Sequence, residues 1–311
     1  MSVLVVGSLA LDNLETPMGK REGIVGGAAP FICLAAAQFA RPVNLVGVIG
    51  EDFPEAMLDK LAAEGVDLEG LQRKPGEKSF SWTGKYHDDL NGRDTLATDL
   101  NVLADFDPVL PEGYRDSEFV VLGNLQPAVQ ARVLEQLRAP KFVALDTMNF
   151  WMDTALDELK AVIARVDALL INDEEARQLS GEHSLVKAAA AIQALGAPYL
   201  VIKKGEHGAL LFHGDDVFFC PALPLAEVYD PTGAGDTFAG GFVGYLAAAP
   251  SIDFVMMKRA VVFGSALASY TCEAFGTERL VEVTREELDV RAGQFLKLVH
   301  FELESTVEEL A

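Results

Sequence analysis

Short, uninterrupted apolar runs alternate with helix-period segments along almost the whole chain, and that rhythm leaves few folds open. Runs at Val3–Val6, Val43–Val48, Phe119–Leu122, Phe142–Leu145, Ala168–Ile171, Tyr199–Ile202 and Ala209–Phe212 read as strands. Helical patterns cover Pro30–Phe39, Glu55–Glu64, Pro127–Leu137, Ala155–Arg165, Asp173–Leu179, Leu185–Leu195, Gly235–Leu246 and Phe254–Thr271. Thr284 and Glu287 are spaced as a capping box, opening one more helix. Four-residue strands with no polar face are buried on both sides, so the expected fold class is α/β, a mostly parallel sheet with helices on both faces. Ligands of such sheets gather beyond the carboxyl ends of the strands.

Two stretches break the rhythm. Phe80–Tyr86 alternates with period two, which puts Phe80, Trp82 and Tyr86 on one face. Asn91-Gly92 is a tight-turn signal, and Arg93–Thr98 can return as a second strand. Gly7–Asn13 leads into another extended stretch at Leu14–Thr16. These segments, around 8–24 and 78–104, are expected to form a small β-lid. A surface hairpin whose aromatics merely pack on the body is the competing reading.

Half of the 311 residues are apolar, yet no run approaches the ~18 residues of a membrane span. The opening Met-Ser-Val-Leu-Val-Val-Gly lacks a basic region and reads as a first strand, not a secretion signal. Asp plus Glu outnumber Lys plus Arg by 47 to 25, and a net charge of −22 disfavours nucleic acid or an anionic membrane as partner. Cys33, Cys220 and Cys272 are odd in number, widely spaced and set in apolar or small-residue sequence, which fits reduced thiols in the cytoplasm. The five histidines have no metal-ligand spacing, and no G-x-S-x-G elbow is present.

Chemistry concentrates in Asp230-Pro-Thr-Gly-Ala-Gly-Asp-Thr-Phe-Ala-Gly-Gly-Phe242. A glycine turn runs into a helix marked by Phe238, Phe242 and Tyr245/Leu246, with Asp236 at its mouth. The unpaired N–H groups of a first helical turn attract anions, and an acid among them can take a hydroxyl proton while they hold developing charge. A P-loop is excluded because Gly241 stands where the lysine is needed, and a dinucleotide fingerprint because Phe238 occupies the third glycine slot. A plain capped turn before a buried helix is the bland alternative. Gly240, Gly241 and Gly244 each cost about 1 kcal/mol relative to alanine in a helix, which points to close packing or a ligand.

The string resembles the C-terminal signature of the ribokinase-like (PfkB) carbohydrate kinases, a family that includes ribokinase and adenosine kinase. The resemblance implies one ribokinase-like α/β domain over residues 1–311, whose lid covers the acceptor and often forms a dimer contact. It implies Asp236 as the base, Gly233, Ala234 and Gly235 as the anion hole, and Asp230 and Thr232 as ligands of a monovalent cation such as K+. Asp12, Gly26 and Gly27 match acceptor-binding positions. Pro30-Phe31 departs from the family pattern where a polar residue is usual, so Phe31 is expected to give an apolar contact. Asn172 and Glu175 match N-x-x-E, a motif implied to order Mg2+-bound waters and phosphate oxygens; alone, the same residues read as an acid-rich helix cap. Lys203, Gly205 and Gly208 match the turn flanking the nucleotide, Gly264 and Ser265 the helix beside the adenine, and Gly276 a turn near the cation site.

The expected function is an ATP-dependent kinase for a hydroxyl of a sugar or ribonucleoside. Phe31 and the aromatics Trp82, Tyr86, Phe150 and Trp151 tilt the balance to a nucleoside, because a base needs an apolar slot. A non-catalytic sugar- or nucleotide-binding protein is the alternative on the same fold. A dinucleotide oxidoreductase fails for want of the fingerprint glycines.

Overall fold

The computed structural model describes residues 1–300. Among the described residues, thirteen strands form two sheets. The larger uses β1 (Val3–Val6), β4 (Val43–Gly50), β5 (Val66–Lys74), β8 (Phe119–Leu122), β9 (Phe142–Asp146), β10 (Ala168–Asn172), β11 (Tyr199–Lys203), β12 (Ala209–His213) and β13 (Asp216–Cys220). Its order is β13-β12-β11-β10-β9-β8-β1-β4-β5, parallel from β11 to β5, with β12 and β13 added antiparallel at one edge. The smaller sheet, β3-β2-β6-β7, joins β2 (Ala10–Thr16), β3 (Gly19–Gly26), β6 (Phe80–Tyr86) and β7 (Arg93–Asp99).

Helices cover both faces of the large sheet. One apolar cluster lies against α1 (Ala28–Ala37), α2 (Glu55–Ala63), α8 (Ala234–Ala248), α9 (Phe254–Thr271) and α10 (Arg285–Val299). The other is covered by α3 (Pro127–Gln136), α4 (Asn149–Thr154), α5 (Leu156–Ile163), α6 (Asp173–Ser180) and α7 (Leu185–Gln193). Thr284 caps α10, its side chain and that of Glu287 exchanging bonds with each other's backbone N–H groups.

Several elements differ from the sequence reading. The edge strands β5 and β13 are additional, because their charged or exposed residues hide the buried pattern. The helix expected over Ala155–Arg165 is α5, and a further short helix, α4, precedes it, the two separated at Ala155 by a non-helical backbone of φ −148° and ψ 42°. In the small sheet, β2 begins at Ala10 and β3 runs to Gly26, with bulges at Asp12/Leu14 and Thr83/Gly84.

The helical glycines answer to packing. A methyl on Gly240 would overlap the Ile32 carbonyl of α1, and one on Gly244 would come within 2.7 Å of Ala36 Cα. Backbone-to-backbone contact therefore fixes α8 against α1 more closely than any side chain would allow. No described helix is long and apolar enough to cross a membrane.

Candidate active site

Parallel strands deliver one polar residue each to a common edge. Asp146 ends β9, Asn172 ends β10 and Lys203 ends β11, all at carboxyl ends. The mouth of α8 faces this row. Gly233 caps α8 with φ 77°, a left-handed conformation that glycine takes without strain. Its carbonyl accepts from Thr237 N at 2.8 Å, while Ala234 N donates to Pro231 O at 3.2 Å. The Ala234 amide is thus committed to the turn. Gly235 N–H keeps no acceptor among the described residues, so it is the open donor of the expected anion hole.

Asp236 stands beside that donor, and burial raises its carboxyl above the usual range. Asp146 adds to the rise, while Lys203 and Arg93 oppose it. Lys203 Nζ lies 2.9 Å from Asp146 Oδ2, and the two side chains are 17% and 8% exposed. The same ammonium would be 3.1 Å from a methyl on Gly235. Burial by itself would lower the Lys203 pKa, but Asp146, Glu175 and Asp236 outweigh it and raise the amine, which stays charged.

Asn172 and Glu175 form a reciprocal capping box. Asn172 Oδ1 accepts from Glu175 N, and Glu175 Oε2 accepts from Asn172 N, both at 2.8 Å. The second Glu175 oxygen remains for a ligand, and burial plus the nearby Asp146 charge push this carboxyl up to about 7. Among the described residues no three His, Cys, Asp or Glu side chains converge on a metal position. The geometry suits an ion held through water, not one caged by protein.

On the opposite side, Asp12 of β2 is buried over Gly26, where a methyl would overlap its carboxylate. Burial lifts Asp12 to about 7 against backbone N–H bonds from Trp82 and Gly27, and Oδ1 has no partner. An orphaned buried acceptor is costly unless a ligand donor meets it. Gly27 caps α1 with φ 78°. Trp82 lies along β6 over Gly84, donates to Thr95 Oγ1 at 3.2 Å, and has the Arg93 guanidinium 5.9 Å from its ring. Tyr86 and Thr232 hydroxyls meet at 3.0 Å and tie the lid to the turn before α8. Asp230 is fully buried and accepts from Thr232 N at 2.9 Å and Gly276 N at 3.0 Å.

Other expected residues are placed differently. Phe31 is 1% exposed in the core, its ring 2.5 Å from where a Gly233 Cβ would stand. It supports the turn from beneath, not as an open pocket wall. Gly264 is buried where α9 crosses α8, and a methyl there would meet Phe238 O at 2.8 Å. Ser265 is half-buried beside Cys220. Gly264 thus serves helix packing, while Ser265 faces the end of β13. Gly208 packs against the Cys220 carbonyl, while Gly205 opens a turn near Asn91 of the lid. Sequence reasoning missed Asp146 and Arg93. The one signal for Asp146 was an acid directly after a buried strand, a place that turn formers also favour.

A carboxylate at a helix mouth, a mostly buried ammonium and an uncommitted amide make an arrangement suited to an anionic ligand. The sequence pattern of the pfkB family carbohydrate kinases matches residues 6–283. The chain is 33% identical over 257 residues to a cytidine kinase of Thermococcus kodakarensis, covering 80% of this chain and 90% of that protein. Aminoimidazole riboside kinase from Salmonella enterica, solved with aminoimidazole riboside and an ATP analogue, has the same fold. Its TM-score is 0.74 at 23% identity, covering 94% of this chain and 100% of that one. A solved E. coli chain holding ATP and Mg2+ superposes with a TM-score of 0.79 at 18% identity, covering 94% and 99%. The chain belongs to the pfkB family of carbohydrate kinases. It is a phosphotransferase with an alcohol group as acceptor, which sets aside the non-catalytic alternative.

Proposed function

We propose that the chain transfers the γ-phosphoryl group of ATP to a hydroxyl of a ribonucleoside. Asp236 takes the hydroxyl proton, the acceptor oxygen bonds to phosphorus, and the bond from phosphorus to the β–γ bridging oxygen breaks to release ADP. Gly235 N–H and Lys203 hold charge on the transferring group, so positioning and electrostatics supply most of the rate. Asp12 accepts from acceptor hydroxyls above Gly26 and Gly27. The turn at Gly205 flanks the nucleotide. Glu175 and Asn172 are the residues that would hold a Mg2+ ion through its waters, and the ion would supply charge neutralisation at the phosphates. Asp230 and Thr232 are the ligands proposed for K+. Three cysteines without disulfide partners support a cytoplasmic setting, and the exposed edge strand β7 supports a homodimer through the lid.

The observation behind the nucleoside preference is the Trp82 indole on the lid, in the strand register of Asp12. An aromatic face beside a hydroxyl acceptor suits a base and its ribose. The similarity to a cytidine kinase supports the same reading. The test is ATP consumption across nucleosides and free sugars, with Trp82→Ala in parallel. Nucleosides should be preferred, and the variant should lose acceptor affinity by about 1–3 kcal/mol, the range of base stacking on aromatics, with ATP little affected. A free sugar phosphorylated as well as any nucleoside overturns the preference and leaves the kinase assignment standing.

A further inference from the structure

We propose that Asp146 is a positioning residue for phosphoryl transfer: it holds the Lys203 ammonium at the mouth of α8, where that ammonium contacts the phosphoryl group in flight. The proposal rests on the reading of the α8 mouth as the transfer site.

The geometry is particular. Lys203 Nζ has three N–H donors and one acceptor among the described residues, Asp146 Oδ2 at 2.9 Å. Its head group lies against Gly235, whose N–H has no acceptor among the described residues. A buried ammonium with two spare donors beside an uncommitted N–H is incomplete without an anion. Asp146 is itself fixed. Its Oδ1 accepts from Thr147 N at 2.7 Å, and its carbonyl accepts from Gln130 Nε2 at 3.1 Å. Gln130 also bonds Gly123 O at 2.9 Å, so the end of β9 is anchored to the loop after β8.

The charge balance requires such a clamp. Three carboxylates, Asp146, Glu175 and Asp236, act on the mostly buried Lys203, with Arg93 the other cation near Asp236 and Glu175, in a protein of net charge −22. An anionic nucleotide entering this site meets repulsion unless a cation is aimed at it. A lysine is a point charge on a flexible stem, so its position must be imposed. Asp146 imposes it from β9 with one oxygen. During transfer the spare N–H groups reach phosphoryl oxygens, and no atom of Lys203 or Asp146 is exchanged.

The test is a double-mutant cycle on kcat with Asp146→Asn, Lys203→Met and the double variant, each checked for a cooperative melt. Lys203→Met should cut kcat about 10²–10³-fold, the loss typical of one transition-state donor, with a smaller rise in the ATP Kd. Asp146→Asn should cut kcat about 10-fold, at the low end for a residue that orients another. The double variant should match Lys203→Met within about twofold, because Asp146 acts only through the lysine. Multiplicative losses in the double variant, or a normal kcat in Lys203→Met, overturn the proposal. Should Asp146→Asn fail to fold, the double variant still decides, since removing both charges of a buried pair is better tolerated than removing one. A kcat at the Lys203→Met level supports the clamp, and one a further tenfold lower overturns it. Normal turnover by Asp236→Asn would instead remove the underlying reading of the site.

Discussion

The two sides of the site are built by opposite means. The proposed phosphoryl side stands on α8 and the ends of β9, β10 and β11, where α8 packs backbone to backbone on α1 and its mouth residues are half-buried. The proposed acceptor side stands on a four-stranded sheet with two bulges and a fully exposed edge strand. Close packing fixes donors to within fractions of an ångström, which charge stabilisation in a transition state needs. A thin, irregular sheet is free to vary its aromatic and polar residues without unsettling that machinery. The two regions meet at the Tyr86–Thr232 hydrogen bond and at Asn91 Nδ2, 3.3 Å from Glu206 Oε1.

The sharpest test of the rigid side is Asp236→Asn. It should lower kcat by about 10²–10⁴-fold, the usual share of general base catalysis, with ATP binding kept. A base must be unprotonated, and Asp236 is raised by burial. The wild-type kcat/KM should therefore fall toward acid from a point above the ordinary carboxylate range, with Asp12 and Glu175, each at about 7, contributing to the same limb. Folding raises all three, so the folded state binds their protons more tightly than the unfolded chain does. Their contribution is full below the unfolded values and is lost as pH climbs through the folded ones. Asp236→Asn removes one such charge, and its ligand-free form should melt above the parent at pH 8. Equal melting with near-normal turnover would take Asp236 out of both roles.

How much of this was legible in the chain follows from the range of the interactions. The α8 turn was readable because glycines, acid and helix lie within thirteen consecutive residues. The buried strands were readable because they are apolar on both faces. Asp146 and Lys203 are 57 positions apart and meet only when β9, β10 and β11 pair, so no local pattern joins them. The burial of Phe31 was not legible for a related reason. Its contact is with Gly233, on another element, and only the packing of α1 on α8 reveals it. Asn172 and Glu175 were legible both as a cap and as a ligand pair, and the capping box is formed.

A matched pair of glycine substitutions contrasts body and lid more finely. Gly240→Ala forces a methyl into the Ile32 carbonyl, a backbone atom that cannot step aside. It should destabilise the fold by about 1–3 kcal/mol, as overpacking does, seen as a lower denaturation midpoint. Gly84→Ala instead meets the far end of the Trp82 indole, a side chain able to swing away. It should leave the midpoint nearly unchanged and raise KM for the acceptor alone. Equal losses of stability in the two variants would erase the distinction between a packed side and an adaptable one.

The smallest expected effect lies where the two sides join. In cation-dependent relatives a bound ion would order the turn before α8, but here much of that ordering is already internal. Asp230 spends one oxygen on Thr232 N and the other on Gly276 N, and Thr232 also holds Tyr86. Pro231 fixes one backbone angle between them. Each Asp230 oxygen keeps a second lone pair for an ion, so potassium has donors to bind but little slack to remove. Potassium at constant ionic strength should therefore raise kcat by about fivefold or less, under 1.4 kcal/mol. Tyr86→Phe frees one strap of the turn and should make that response larger. A potassium effect of a hundredfold in the parent would mean that the turn is loose without the ion. Identical rates in potassium and in a bulky organic cation, for both parent and Tyr86→Phe, would remove the cation from Asp230 and Thr232 altogether.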